Sequence, residues 1–213
     1  MEFLPSWPVF GAFTVAAFIL TITPGPDMTL FLGRALTQGR AAGMAAMLGA
    51  SSGIVIHTLL AAFGISALIQ ASPNGFLTLK IVGAVYLLWL AVQAVRQGSA
   101  FSVENENVRK ASLANSWATG VWINLLNPKI ILFFITFLPQ FVTPGDPNAA
   151  GKMIFLGLYF IVFAGLCCTC LILAVDQVAD TLRKNPKITR AIDWIFAGVF
   201  SAFAVRILLT DRG

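Results

Sequence analysis

Long stretches without a charged residue constrain the fold of this chain more than any other feature of its sequence. No Asp, Glu, Lys or Arg occurs in residues 3–26, 41–79 or 153–175. A helix of about 20 apolar residues crosses the hydrocarbon core of a bilayer, and each run is long enough to do so. Charged residues make up only 11% of the chain, against about a quarter in soluble domains. The sequence therefore predicts an integral membrane protein.

Six apolar segments can be marked along the chain. None alternates apolar and polar residues as the strands of a membrane barrel do, and the first residues lack the basic start and cleavage site of a secretory signal. We therefore predict an all-α integral membrane protein in which every segment is retained. Its six transmembrane helices are expected over residues 8–33, 42–69, 76–95, 114–138, 153–176 and 191–209.

A polar stretch over residues 96–113 separates the third segment from the fourth. We interpret it as a cytoplasmic linker between two three-helix halves, residues 1–95 and 114–213. Because each half crosses the membrane an odd number of times, the second half enters from the opposite face. This is the arrangement of an inverted repeat, which many transporters share.

The basic residues are distributed unequally between the two sides of the predicted membrane. Cytoplasmic loops retain an excess of Lys and Arg, and this rule predicts that both termini lie outside the cytoplasm. It also accounts for the net charge of +5 without a nucleic-acid partner, since the basic residues form no single patch. The richer side holds Arg34, Arg40, Arg96, Arg109, Lys110, Arg183, Lys184, Lys187 and Arg190, and the poorer side holds Lys80, Lys152, Arg206 and Arg212.

Proline motifs interrupt the first helix of each predicted half. They are "TPGPD" at residues 23–27 and "LLNPKIILFF" at residues 125–134. Proline removes a backbone donor and clashes with the preceding helical turn. Non-helical backbone at membrane depth persists only where protein or water supplies hydrogen bonds. Two facing breaks therefore predict a polar cavity near the membrane midplane.

One acid and one base accompany these breaks, Asp27 and Lys129. A charged side chain at the bilayer centre costs about 2.5–3.5 kcal/mol on insertion scales, so such residues usually face a cavity and have a partner. We expect the two side chains to lie near each other across the pseudo-two-fold axis. The alternative is that Lys129 extends to the membrane interface and Asp27 only caps the helix that resumes at Met28.

The same motifs carry a family resemblance. Together with "LKIVGAVYLLWLAVQAVR" at residues 79–96, they resemble the LysE/RhtB superfamily of amino-acid exporters, of the threonine, homoserine and leucine efflux type, over nearly the whole chain. The resemblance implies a bacterial inner-membrane carrier that releases amino acids or close derivatives and is driven by the proton motive force. It implies a functional core of Thr23, Pro24, Gly25, Pro26, Asp27, Asn127, Pro128 and Lys129.

The charged residues predict how an amino acid would bind. Asp27 offers a counter-charge for the ammonium group, and Lys129 with the half-helix N-termini offers donors for the carboxylate. The site has no spare carboxylate for a second positive charge, which favours small neutral or apolar amino acids. This preference also rests on the apolar residues expected around the site, Met28, Leu30, Phe31, Phe133 and Phe134.

Two residues are candidates for proton coupling. Asp27 qualifies because burial and a nearby lysine act on its charge in opposite directions. His57, the only histidine, is either a second relay, since its ordinary pKa is about 6.5, or a neutral residue hydrogen-bonded to a neighbouring helix.

Other functions were weighed against transport of amino acids. A metal-cation exporter of the same superfamily would use Cys167, Cys168 and Cys170, but that cluster contains no His or carboxylate, and buried cysteine usually behaves as a small hydrophobe. An integral-membrane enzyme would need a richer set of catalytic side chains. We therefore predict no enzymatic activity, no cofactor and no bound metal.

Small residues recur on the second segment, at Gly43, Ala46, Gly49 and Gly53. They allow close helix packing, either within the monomer or in a homodimer. Beyond the fifth segment, residues 174–184 are interpreted as its amphipathic continuation.

Overall fold

The computed structural model describes residues 4–65, 73–97, 111–142 and 146–209, and every regular element in these ranges is helical. The predicted all-α class is therefore confirmed for this part of the chain. Its α-helices are α1 Trp7–Ile22, α2 Pro26–Gln38, α3 Arg40–Leu59, α4 Pro73–Gln97, α5 Leu113–Leu125, α6 Pro128–Leu132, α7 Ala149–Leu173, α8 Val175–Lys184 and α9 Pro186–Leu209.

Two helices are long and apolar enough to cross a membrane unbroken. One is α3 with its π-helical extension, over Arg40–Gly64, and the other is α7. Two further spans result if each broken pair is one crossing: α1 with α2, and α5 with Pro128–Phe141, both bent by 53°. The chain is thus a helical membrane protein with two to four spans supported within the described residues. The six-helix inverted repeat remains a prediction, with α4 and α9 lying where its third and sixth helices are expected.

The predicted segment boundaries differ from the observed helices by a few residues. The end of the second predicted segment and most of the linker fall at residues 66–72 and 98–110, outside the described residues. The amphipathic stretch after the fifth segment is a separate helix, because α7 ends at Leu173 and Ala174 leaves the helical conformation at φ −98° and ψ 25°.

Helix α3 lies at the centre of the fold and packs most extensively on α5. Their backbones are in direct contact: a Cβ added to Gly49 would lie 1.9 Å from the carbonyl oxygen of Trp117, and one added to Gly120 would lie 2.0 Å from that of Ala46. Only glycine allows this approach. The small residues of α3 therefore serve packing within the monomer.

Two apolar clusters flank the breaks. The larger is rich in phenylalanine and contains Phe13, Phe133, Phe134, Phe137, Phe160 and Phe200, all at most 2% exposed. The smaller surrounds α2 and includes Met28, Phe31, Leu32, Met47 and Cys168. The polar backbone of the breaks is thus enclosed by packed side chains, as non-helical backbone in a membrane requires.

Candidate functional site

The first break is an extended segment, Thr23–Gly25, between α1 and α2. Thr23 ends α1, with its N–H and its hydroxyl both donating to the Ile19 carbonyl, at 3.1 Å and 2.6 Å. Gly25 is fully extended, with φ −172° and ψ −178°, and precedes Pro26, the first residue of α2. Proline at this position loses no helical hydrogen bond, so the motif ends one helix and starts the next.

The second break lies between α5 and α6. The side-chain oxygen of Asn127 accepts a 3.0 Å hydrogen bond from the Lys129 backbone N–H, which makes Asn127 the N-cap of α6. Pro128 takes the first helical position, as Pro26 does in α2. The order asparagine, proline, lysine therefore has a local physical reason, since asparagine is a preferred N-cap and proline suits the position after it.

Each break is completed by a charged side chain from the other. Asp27 Oδ2 accepts hydrogen bonds from the side-chain amides of Asn124, at 2.9 Å, and Asn127, at 3.1 Å. Lys129 Nζ donates to two backbone carbonyls at the end of the first break's helix, those of Leu20 at 3.2 Å and Thr23 at 3.0 Å. Asp27 and Lys129 are the second residues of α2 and α6, so the contacts are reciprocal.

Helix dipoles favour both arrangements. The carboxylate of Asp27 lies in the first turn of α2, where the backbone carries partial positive charge, and the ammonium of Lys129 lies at the negative C-terminal end of α1. Two of the three ammonium donors are engaged by carbonyls. Lys129 is therefore a backbone-bound residue, and its freedom to bind a ligand carboxylate is smaller than the sequence suggested.

The acid and the base share a cavity but do not form an ion pair within 4.0 Å. Pairs that do lie within this distance include Arg40–Asp176, Lys152–Asp146 and Lys184–Asp180. The alternative placement, with Lys129 at the membrane interface and Asp27 as a helix cap, is also not observed. Helix α2 already begins at Pro26, so Asp27 is not its cap, and the Lys129 ammonium binds helix-end carbonyls.

A cavity of about 60 Å³ lies between the breaks, on a scale where one water needs about 10–15 Å³. It therefore has room for roughly four to six waters. Its polar side consists of Thr21, Thr23, Asp27, Ser51, Asn124 and Lys129, and its apolar wall of Leu20, Met28, Phe31, Met47, Ala50, Ile54, Ile130, Phe160, Ile161, Ala164, Gly165 and Cys168.

Not all of the expected apolar neighbours lie at this cavity. Met28 and Phe31 line it, whereas Leu30 does not. Phe133 and Phe134 are buried in the aromatic core instead, at 1% and 0% exposure. The helix changes to a π-helical stretch at these residues, over Phe133–Phe137.

Asn124 is a site residue that the sequence reasoning missed. It is fully buried, donates to Asp27, and has a side-chain oxygen, Oδ1, without a hydrogen-bond partner in the described structure. The available signal was its position three residues before Asn127, in an otherwise apolar stretch. Another buried acid, Asp193 of α9, is only 1% exposed and does not line this cavity.

His57 of α3 contacts the backbone of Asn124. Its ring is buried, with Nε2 3.4 Å from the Asn124 carbonyl oxygen and the ring centroid 6.1 Å from that of Phe134. The hydrogen bond to a neighbouring helix, one of its two predicted roles, is thus present. An amide side chain separates His57 from Asp27, and a proton relay between them stays a prediction.

The three cysteines differ in their surroundings. Cys168 is buried and lines the cavity, Cys167 is half-buried and Cys170 is exposed. Across the described ranges, no three His, Cys, Asp or Glu side chains are grouped closely enough to hold a metal ion.

A cavity enclosed by two broken helices within a helical membrane protein defines the class of membrane transporters. The family to which this chain belongs is the LysE type translocator family, whose sequence model matches residues 18–211. The resemblance to the LysE/RhtB superfamily is therefore confirmed.

Similar proteins cover almost the whole chain. The homoserine/homoserine lactone efflux protein of Salmonella typhimurium is 28% identical over 189 residues, which are 89% of this chain and 90% of that protein. The leucine efflux protein of Enterobacter sp. strain 638 is 28% identical over 206 residues, 93% and 94% of the two chains. An uncharacterised membrane protein of Bacillus subtilis is 29% identical over 203 residues, 92% and 96% of the two chains. No solved structure matches.

Proposed function

We propose that this chain is a proton-coupled secondary active exporter of small neutral or apolar amino acids, or close derivatives, in the bacterial inner membrane. The observation that carries the proposal is the cavity at the two breaks, which combines one carboxylate and one ammonium with an apolar wall. The efflux proteins of homoserine and leucine among the relatives support it. Both termini lie outside the cytoplasm in this proposal.

The substrate ammonium binds at Asp27. One carboxylate oxygen already accepts two amide hydrogen bonds, while Oδ1 has no partner in the described structure. An ammonium group brings three donors and a positive charge, and a charge-assisted bond to a carboxylate is stronger than a neutral one.

The substrate carboxylate has two sources of donors. The Lys129 ammonium has three N–H donors, two of which donate to backbone carbonyls, so one is left for the substrate. The first turn of α2 adds backbone N–H groups that have no partner within the helix, and such helix ends bind anions. The N–H groups of Lys129 and Ile130 in the first turn of α6 already donate to Asn127. A zwitterion therefore fits the charges of the site, and an uncharged or apolar side chain fits the remaining wall.

Proton coupling follows from competition at Asp27. A proton entering from outside the cell and the ammonium of the substrate cannot both occupy the same carboxylate oxygen. Protonation releases the substrate outward, and loss of the proton to the cytoplasm restores the binding form. The cycle is an antiport in which one buried carboxylate alternates between two cations.

The rival functions fit the cavity less well. A divalent cation of the hard type requires six or more oxygen ligands, while Asp27 is the single carboxylate at the described cavity. An enzyme would alter its substrate chemically, whereas a carrier releases it unchanged.

The test is efflux from preloaded bacterial cells, with a panel of labelled amino acids and one divalent metal as a control cargo. Asp27→Asn and Lys129→Ala are compared with Asp176→Asn and Lys184→Ala, which neutralise exposed charges of α8 outside the cavity. We expect wild type and the α8 variants to accelerate efflux of neutral amino acids, unchanged in structure, and the two cavity variants to abolish it. Normal efflux in both cavity variants would refute the proposed site.

Coupling is tested in inverted vesicles, in which an imposed pH gradient should drive uptake by wild-type protein. Uptake that ignores the gradient would refute proton antiport. Asp27→Asn should leave any residual uptake independent of the gradient.

A further inference from the structure

Gly165 occupies an unusual position in α7. It lines the cavity, and no heavy atom of the described residues lies within 4 Å of the point where its Cβ would stand. Glycine lowers helix stability relative to alanine. Most glycines at the helix contacts have a packing reason, as at Gly157, where a Cβ would lie 2.3 Å from Thr58 Cγ2. Packing gives no such reason at Gly165.

The neighbours of Gly165 show what the open space belongs to. The residues of α7 that reach the cavity are Phe160, Ile161, Ala164, Gly165 and Cys168, and spacings of three and four place most of them on one helix face. The two smallest side chains, at 164 and 165, lie between larger ones on this face. The wall is therefore recessed at its centre, in the same cavity that holds Asp27 and Lys129.

We propose that Gly165 is a specificity-determining residue that sets the largest substrate side chain the cavity accepts. The inference rests on the proposed function, because the charges at Asp27 and Lys129 must hold the amino and carboxyl groups of the substrate. The side chain then points away from those charges and fills the recess beside Gly165. The accepted class is amino acids with aliphatic side chains, up to a branched chain of leucine size, and every carbon added at position 165 lowers that limit.

Substitutions at Gly165 test the inference directly, because alanine, valine and leucine there occupy empty space. Gly33 of α2 is the matched control. It is also a helical glycine with no heavy atom within 4 Å of its Cβ position, and it is absent from the cavity wall. The backbone carbonyl of each glycine also accepts a hydrogen bond from the hydroxyl of a threonine four residues later, at 2.7 Å for Gly165 and 2.8 Å for Gly33.

The measurement is initial efflux of alanine, valine, leucine and phenylalanine, each normalised to the amount of protein in the membrane. One methylene in an apolar pocket changes discrimination by about 10- to 200-fold. We therefore expect Gly165→Ala to lower the leucine-to-alanine ratio at least about 10-fold, and Gly165→Val to extend the loss to valine, while alanine efflux is retained. The ratio should be unchanged in the Gly33 series.

A second readout separates binding from transport. Bound ligand raises the melting temperature of the purified protein, so leucine should stabilise wild type and Gly33→Ala but not Gly165→Val, whereas alanine should stabilise all three. If wild type exports no amino acid yet shows this size-dependent stabilisation, the proposed export fails and the role of Gly165 stands. Equal losses for all side chains, or an unchanged ratio and unchanged stabilisation, would overturn the inference.

Discussion

Replacing Gly53 of α3 with alanine should disrupt the candidate site, because the added methyl group would press on Asn124, which binds Asp27. A Cβ at this position would lie 2.6 Å from Asn124 Oδ1 and 3.1 Å from its Cβ and Cγ. Ordinary contact begins at 3.4 Å, so the closest contact falls short by about 0.8 Å. Asn124 is 0% exposed, and the free volume beside it is the cavity that it lines. Either its side chain shifts or α3 separates from α5.

The size of the effect follows from the hydrogen bond at risk. Asn124 donates to Asp27 at 2.9 Å, and a change of about 0.8 Å in either direction takes this bond outside the roughly 2.7–3.2 Å range of a good N–H···O contact. A hydrogen bond to a charged group contributes about 1.5–3 kcal/mol. The same free energy taken from substrate binding lowers export about 10- to 150-fold.

The assay for Gly53→Ala is initial efflux per protein molecule together with the melting temperature in detergent. A side-chain shift lowers efflux with little change in melting temperature, and helix separation lowers both. Gly33→Ala adds the same methyl group in open space and should leave both values at wild type. Wild-type efflux and melting temperature in Gly53→Ala would refute the reasoning.

Three further predictions concern packing, acid stability and the histidine. Gly49→Ala and Gly120→Ala each overpack a backbone contact and should cost about 1–3 kcal/mol; an unchanged melting temperature would contradict the close approach. Two hydrogen bonds hold the pKa of the Asp146 carboxyl below its usual value, and the one from the Lys152 side chain has a larger effect than the one from a backbone N–H. The stability that Asp146 contributes is fully present above the ordinary pKa of about 4 and is lost as pH falls through the lower folded value. The melting-temperature gap between wild type and Asp146→Asn should therefore close in acid, and a gap independent of pH would count against this prediction. His57→Gln should export with an unshifted pH profile, whereas a shifted profile would establish a relay.

The membrane class and the two breaks could be predicted because their signals are local. Charge-free runs and prolines act on the backbone where they occur. The motif at residues 23–27 and the asparagine–proline pair at 127–128 therefore gave the helix ends closely. Charge in a membrane is costly enough that Asp27 and Lys129 also had to share a polar environment.

The partners of these charges could not be predicted, because they depend on how distant segments meet. Oppositely charged residues suggest an ion pair, yet Asp27 binds amides and Lys129 binds carbonyls. Lys129 instead satisfies carbonyls left free where α1 ends, a need that exists only once the helix is broken. Asn124 was overlooked because a single amide in an apolar segment carries no charge penalty to mark it.

Two helical features had no clear sequence signal. Phe133–Phe137 form a π-helical turn, and Phe133 and Phe134 are buried away from the cavity, although these residues follow Lys129 closely in the chain. The end of α7 at Leu173 is marked by neither proline nor glycine, so the apolar pattern continued smoothly into the amphipathic α8.

The reciprocal contacts between the breaks can form only in an order that protein synthesis sets. Asp27 precedes its partner Asn124 by 97 residues, and Lys129 follows the carbonyl of Leu20 by 109. At about 5–20 residues per second, a ribosome needs about 5–20 s to synthesise the missing partners. Throughout that interval the carbonyls of Leu20 and Thr23 lack the ammonium donor that they have in the folded chain. The first break therefore completes its hydrogen bonds only after the second break has been synthesised.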